Sequence, residues 1–158
     1  MPRNDLGSDS HAAIARQAEA FADDLERFLG LLLERFDEAL ADANDRLADY
    51  IRTEWSDHGS ISEDVSTERV GRFAYRLEVD NRGSLPLEYG TSPHVITPNP
   101  GTDYLHFKVD GNWVKTLLVE HPGQDADPAL RPGIDRITDE LVEQLQQIVR
   151  ETETEVFE

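Results

Sequence analysis

From His11 to Trp55 the apolar residues fall three or four positions apart: Phe21, Leu25, Phe28, Leu29, Leu32, Phe36, Leu40, Ala43, Leu47, Tyr50 and Ile51. Asp, Glu and Arg fill the gaps between them. That period places the apolar set on one face of an α-helix, with Asp9 or Ser10 as the candidate N-cap. A single helix of this length runs roughly 65 Å. A globule of 158 residues has a radius of gyration of about 15 Å, so such a helix overruns its own domain. Two solutions follow. The helix breaks at Gly30, where glycine costs about 1 kcal/mol relative to alanine, and folds into a hairpin. Otherwise it stays whole and lays its surplus of Leu29, Leu31, Leu32 and Leu33 on a partner.

The remaining chain predicts strands and one more helix. Residues 1–10 are polar and are expected to fray, and Ser56 to Ser60 has turn composition. Ile61, Val65 and Val70 are spaced for a short strand or a mobile arm. Phe73, Tyr75, Leu77 and Val79 alternate with Ala74, Arg76, Glu78 and Asp80, the pattern of a half-buried strand. Tyr104–Val109 and Trp113–Val119 form two further strands around Asp110-Gly111, a favoured hairpin turn. Val95 to Thr97 is expected to pair with the first of these. A last helix starts at Pro128 or Pro132, where proline is tolerated, and carries Ile134, Ile137, Leu141, Leu145, Ile148 and Val149 on one stripe. Burying five such side chains stabilises by roughly 7–15 kcal/mol at most. The expected architecture is α+β, a single domain over 11–150. It comprises a long helix at 11–55, a small antiparallel sheet within 61–123 and a C-terminal helix at 128–150 packed on that sheet. An acidic tail, 151–158, follows.

Charge narrows the function classes. The net charge is −18, and lysine occurs only at 108 and 115. Residues 1–60 carry −8, residues 124–158 carry −7 and the middle segment only −3, so the sheet region repels a partner least. Solvated acidic helix faces account for such a chain; so does adaptation to multi-molar salt, where the Debye length falls below about 3 Å and like charges hardly oppose folding. Salt adaptation predicts loss of structure on dialysis to low salt, and a melting curve equal in molar and millimolar salt would refute it. No basic stripe is present to neutralise duplex phosphates. The chain has no cysteine, which removes disulfides and thiolate chemistry. No apolar run approaches 18 residues, and MPRNDLGSDS lacks the apolar centre of a secretory leader. The expectation is a soluble protein of a cell interior or a virion.

Few residues suggest chemistry. His94, His106 and His121 match no metal-binding spacing. His94 and His121 sit beside prolines, where structural hydrogen bonds are expected, and His106 alternates with Leu105 and Phe107, facing outward or into an interface. Glu88 stands just before Tyr89-Gly90-Thr91. It reads as a turn-fixing acceptor or an inter-subunit ion pair, and alternatively as a general acid or base. Gly90 is expected to supply a positive φ. Asp125-Ala126-Asp127 lacks the twelve-residue pattern of a calcium loop. No nucleotide-binding or hydrolase motif is present, so no enzyme activity, metal or cofactor is expected.

One ordered series goes further. Leu87 to Ile96 reads LEYGTSPHVI, Val119 to Gly123 reads VEHPG, and Pro128 to Pro132 reads PALRP. Over roughly residues 70 to 150 this series resembles the tail-completion (head–tail joining, "tail component") proteins of long-tailed viruses. The matching positions are Glu88, Gly90, Thr91, Pro93 and His94, then His121, Pro122 and Gly123, then Pro128, Leu130, Arg131 and Pro132. The resemblance implies a structural virion protein of the neck, assembled in the host cytoplasm, here of a halophilic host. It implies a self-assembled ring, commonly a hexamer, between the head connector or stopper protein and the tail tube protein, with DNA passing the lumen and no membrane contact. Those residues would then be turn and interface architecture, and Trp113 in the hairpin is the expected subunit contact. Two alternatives remain. One is a small-ligand binding or hydrolytic domain using Glu88, His94, His106 and His121, which requires these side chains to converge. The other is an acidic regulatory module that dimerises through its long helix.

Overall fold

A computed structural model of the protein describes residues 6–158. The fold is α+β. Helix α1 (Leu6–Glu54) leads through a short 3-10 turn, Gly59–Ser62, into strands β1 (Val65–Gly71) and β2 (Ala74–Val79). Helix α2 (Ser84–Tyr89) follows, then β3 (His94–Ile96), β4 (Leu105–Val109), β5 (Asn112–Thr116), β6 (Val119–His121) and helix α3 (Leu130–Phe157). The strands form three two-stranded ladders, β1–β2, β3–β6 and β4–β5, in place of one small sheet. The segment expected to fray is helical over residues 6–10, and residues 1–5 lie outside the described residues. The acidic 151–158 segment is helical as far as Phe157.

Helix α1 does not break. Its 49 residues run about 73 Å straight through Gly30, since flanking contacts outweigh one glycine's helix penalty. Of the described residues, 6–49, 66–77 and 134–158 form one compact unit, and 50–65 with 78–133 form a second.

In the first unit α1 and α3 run antiparallel. Arg46 donates to Glu140 at 2.6 Å and to Gln144 at 3.3 Å. Two or three turns back along α1, Arg35 donates to the Thr152 hydroxyl at 2.8 Å and also reaches Glu155. At the far end the Phe157 ring meets Phe28 and Phe21, with centroids 5.6 and 6.3 Å apart. The buried positions of α1 between the Arg35 and Arg46 pairs are alanines, Ala39 and Ala43, and Ala48 is buried just past them; such small residues let the helices approach closely. Thr152 is fully buried and satisfied twice, because its hydroxyl also donates to the Ile148 carbonyl at 2.7 Å. The β1–β2 hairpin joins this unit. Ile137 and Leu141 of α3 line an apolar groove together with Phe73, Tyr75 and Leu40.

The hairpin is pinned to α1 by one carboxylate. Asp37 accepts from the Phe73 backbone N–H at 2.9 Å and the Tyr75 hydroxyl at 3.1 Å, and it pairs with Arg69. The Phe73 bond, opposed by partial burial and joined by Tyr75 and Arg69, holds the Asp37 carboxyl below its ordinary value. That N–H bond matters because Phe73 has φ of 58°, a left-handed conformation seldom adopted by a bulky residue.

The core of the second unit gathers Ile51, Trp55, Val65, Leu87 and Ala129. Trp55 is 0% exposed, and its indole N–H donates to the Asp127 carbonyl at 2.9 Å. β3 pairs with β6, in the register His94 to His121 and Ile96 to Val119. The expected partner was the 104–109 strand. Pro98 and Pro100 lie just beyond β3, after Thr97, and remove donors that a hairpin onto β4 needs. Asp110-Gly111 does turn β4 into β5, with φ of 49° and 82°, both positive as a two-residue hairpin turn of this type requires.

Candidate functional site

A helix begins with four backbone N–H groups that have no partner inside it. At α3 every one of them is accounted for. The Glu88 carboxylate accepts from Ala129 and Leu130 N–H at 2.9 Å each through Oε2, and from Arg131 N–H at 3.1 Å through Oε1. Pro132 has no N–H to offer, and the Gly133 N–H makes the first intrahelical bond, to the Ala129 carbonyl at 3.0 Å. Arg131 then folds back over its own helix start. Its Nε donates to Glu88 Oε1 and its Nη2 to the Glu88 carbonyl, both at 2.9 Å, while its guanidinium lies over the Tyr89 ring.

Glu88 is 1% exposed. Burial alone would raise its pKa; the Arg131 guanidinium and the three backbone N–H groups outweigh burial and hold it below the ordinary value. The positive end of the α3 macrodipole acts in the same sense. The carboxylate is therefore a fixed anion that caps α3 from more than forty residues away in sequence.

The two glycine motifs interlock beside it. Thr91 and Gln124 exchange backbone hydrogen bonds, 2.8 Å from Thr91 N–H and 3.0 Å from Gln124 N–H. Gly90, at φ 71°, and Gly123, at φ 90°, flank that bridge. A Cβ on Gly90 would come within 2.7 Å of the Gln124 carbonyl oxygen, and one on Gly123 would collide with the Thr91 carbonyl and Pro93 nitrogen. Each glycine is thus required twice, by its φ and by the neighbouring backbone. The Asp127 N–H donates to the Leu87 carbonyl at 2.7 Å, and the His58 ring meets the Asp127 carboxylate at 2.7 Å.

His94 and His121 face each other across β3 and β6 with ring centroids 4.9 Å apart. His94 Nδ1 lies 2.9 Å from the Ser92 carbonyl and so carries the proton, whereas His121 Nδ1 accepts from the Gly123 N–H at 3.1 Å and does not. Both rings fix turns. Among the described residues no group of three or more His, Cys, Asp or Glu is placed to hold a metal ion.

Of the residues singled out in the sequence, Glu88, Gly90, Thr91, Pro93, His94, His121, Pro122, Gly123, Arg131 and Pro132 all belong to this one hub. Trp113 and His106 do not. They share the β4–β5 hairpin, with ring centroids 4.5 Å apart. Of the four residues of the ligand-pocket alternative, Glu88 is taken up by the α3 N-terminus and Arg131, His94 and His121 stack on each other, and His106 packs on Trp113. No sequence pattern singled out His58, Trp55 or Asp37. The hub's use of Asp127 was hidden because Asp and Glu are common throughout this chain, so no single acid stands out.

No family model matches the chain, and no curated protein or solved structure matches it either.

Proposed function

We propose that this chain is a structural virion protein of the neck of a long-tailed virus, forming a ring that joins the head connector to the tail tube. The observation that carries this reading is the hub. The first of the three motifs that resemble tail-completion proteins lies more than twenty residues before the other two, yet all three interlock through backbone bonds, two obligatory glycines and one capping carboxylate. Residues used in this way support architecture, in keeping with turn and interface roles for Glu88, Gly90, Thr91, Pro93, His94, His121, Pro122, Gly123, Arg131 and Pro132. Exposed apolar side chains add support, among them Leu85, Tyr89, Trp113, Leu117 and Leu118, because a subunit that closes into a ring must present two different surfaces to its neighbours. The expected ring has six subunits and sits between the connector or stopper protein and the tail tube protein. Its acidic lumen would let DNA slide past without sticking. The net charge of −18 fits assembly in the cytoplasm of a halophilic host.

Light scattering coupled to size exclusion in molar salt tests the reading. A mass of about six subunits is the expected result. A monomer or an isolated dimer at every salt and protein concentration would overturn it.

A further inference from the structure

The two lysines of the chain share one surface. The β4–β5 register sets His106 opposite Lys115 and Lys108 opposite Trp113. Side chains alternate along a strand, so His106, Lys108, Trp113 and Lys115 all stand on one face of the hairpin, and all four are exposed. Leu105, Phe107, Val114 and Thr116 take the other face and are half-buried. On the outer face Lys108 Nζ lies 5.1 Å from the centre of the Trp113 ring, and Lys115 Nζ lies 3.9 Å from that of Tyr104. Trp113 is 63% exposed. Between Tyr104 and Leu118 the single acid is Asp110, at the turn. This is an aromatic surface with a local positive balance, in a chain whose net charge is −18.

We infer that the outer face of the β4–β5 hairpin docks on the acidic α1–α3 helix face of a second copy of this chain. The inference rests on the ring reading and names its contact. Charge complementarity decides the occupant. Two chains of −18 repel wherever acid meets acid, and the aromatic, lysine-bearing face lets a copy approach without that penalty. The helix pair offers the complementary surface: an open groove lined by Asp42, Glu140, Glu143 and Gln147. Arg46 engages Asp42 and Glu140, whereas Glu143 has no ion pair among the described residues. Trp113 supplies the desolvated anchor and the lysines fix orientation. The contact is heterologous, hairpin to helix pair, which is the kind that closes rings. A polynucleotide is the weaker occupant, because two lysines release few counterions.

The test compares wild type, Lys108→Glu/Lys115→Glu and Trp113→Ser by light scattering, at the lowest salt that keeps the native circular dichroism. Melting curves confirm that each variant is folded. Both variants are expected to move half-assembly to at least about tenfold higher protein concentration, and adding Glu143→Lys to the double lysine variant should restore part of the loss. In molar salt the lysine effect should shrink while the Trp113 effect persists. Variants that assemble like wild type overturn the docking face and leave the ring intact. A wild-type dimer or open oligomer that the variants dissolve keeps the docking face and refutes the ring. A wild-type monomer refutes both. Wild-type affinity for a single-stranded oligonucleotide, lost in the variants while assembly is unchanged, would assign the face to nucleic acid instead.

Discussion

The helix pair of the first unit and the turn hub of the second are held together by different means. Along α1 and α3 the contacts repeat: an arginine to a carboxylate, small residues buried between, an aromatic cluster at the end. Many sequences could satisfy that pattern, and most single changes within it leave the rest standing. In the hub almost every contact is made once. Gly90 and Gly123 cannot carry a side chain, and Glu88 alone terminates three backbone donors. A periodic interface spreads its stabilisation, whereas a knot of turns concentrates it in a few positions.

The comparison breaks most visibly at Gly123. Gly123→Ala forces a Cβ against the Thr91 carbonyl and Pro93 at a positive φ, and should destabilise by about 3 kcal/mol or more. Urea unfolding would show this as a lower midpoint. A variant as stable as wild type would mean that the Thr91–Gln124 bridge is dispensable.

Glu88→Gln comes next. It keeps the shape of the side chain but removes the anion that three N–H groups and Arg131 bind, at a cost of about 2–3 kcal/mol. The change also has a pH signature. The folded pKa of Glu88 lies below its ordinary value of 4.5, so its contribution is complete above that pH and is lost as pH falls through the folded pKa. Stability of the wild type should therefore drop more steeply than that of Glu88→Gln as pH falls below the ordinary value of 4.5 and through the folded pKa. Parallel curves for the two proteins would contradict the assignment.

The helix pair should respond in the opposite direction to a glycine change. Nothing lies within 4 Å of a Cβ placed on Gly30. Gly30→Ala should stabilise by about 0.5–1 kcal/mol and raise the melting temperature by about 2–4 °C. A loss of stability there would show that α1 needs the glycine for a contact or a bend.

The same contrast governs what could be read from the sequence. The stripe from Phe21 to Ile51 gives a helix because a 3.6-residue period is a local property, and the Asp110-Gly111 hairpin is legible for a similar reason. Whether α1 breaks at Gly30 was not, since that choice depends on α3, more than a hundred residues away. The pairing of β3 with β6 was missed because two prolines and the glycine bridge override proximity in sequence. In the site, the glycines and the importance of Glu88 were legible. Its role was not, since a carboxylate that caps a distant helix leaves no periodic trace. The roles of Asp37 and Asp127 left no signal, because acids are everywhere in this chain.

Amide hydrogen exchange at Ala129, Leu130 and Arg131, compared between wild type and Glu88→Gln under native conditions, tests the hub most directly. The account predicts that these three amides are protected in the wild type and exchange much faster in the variant, while amides in the middle of α1 change little. Equal protection of the three in both proteins would contradict it, because α3 would then begin without Glu88.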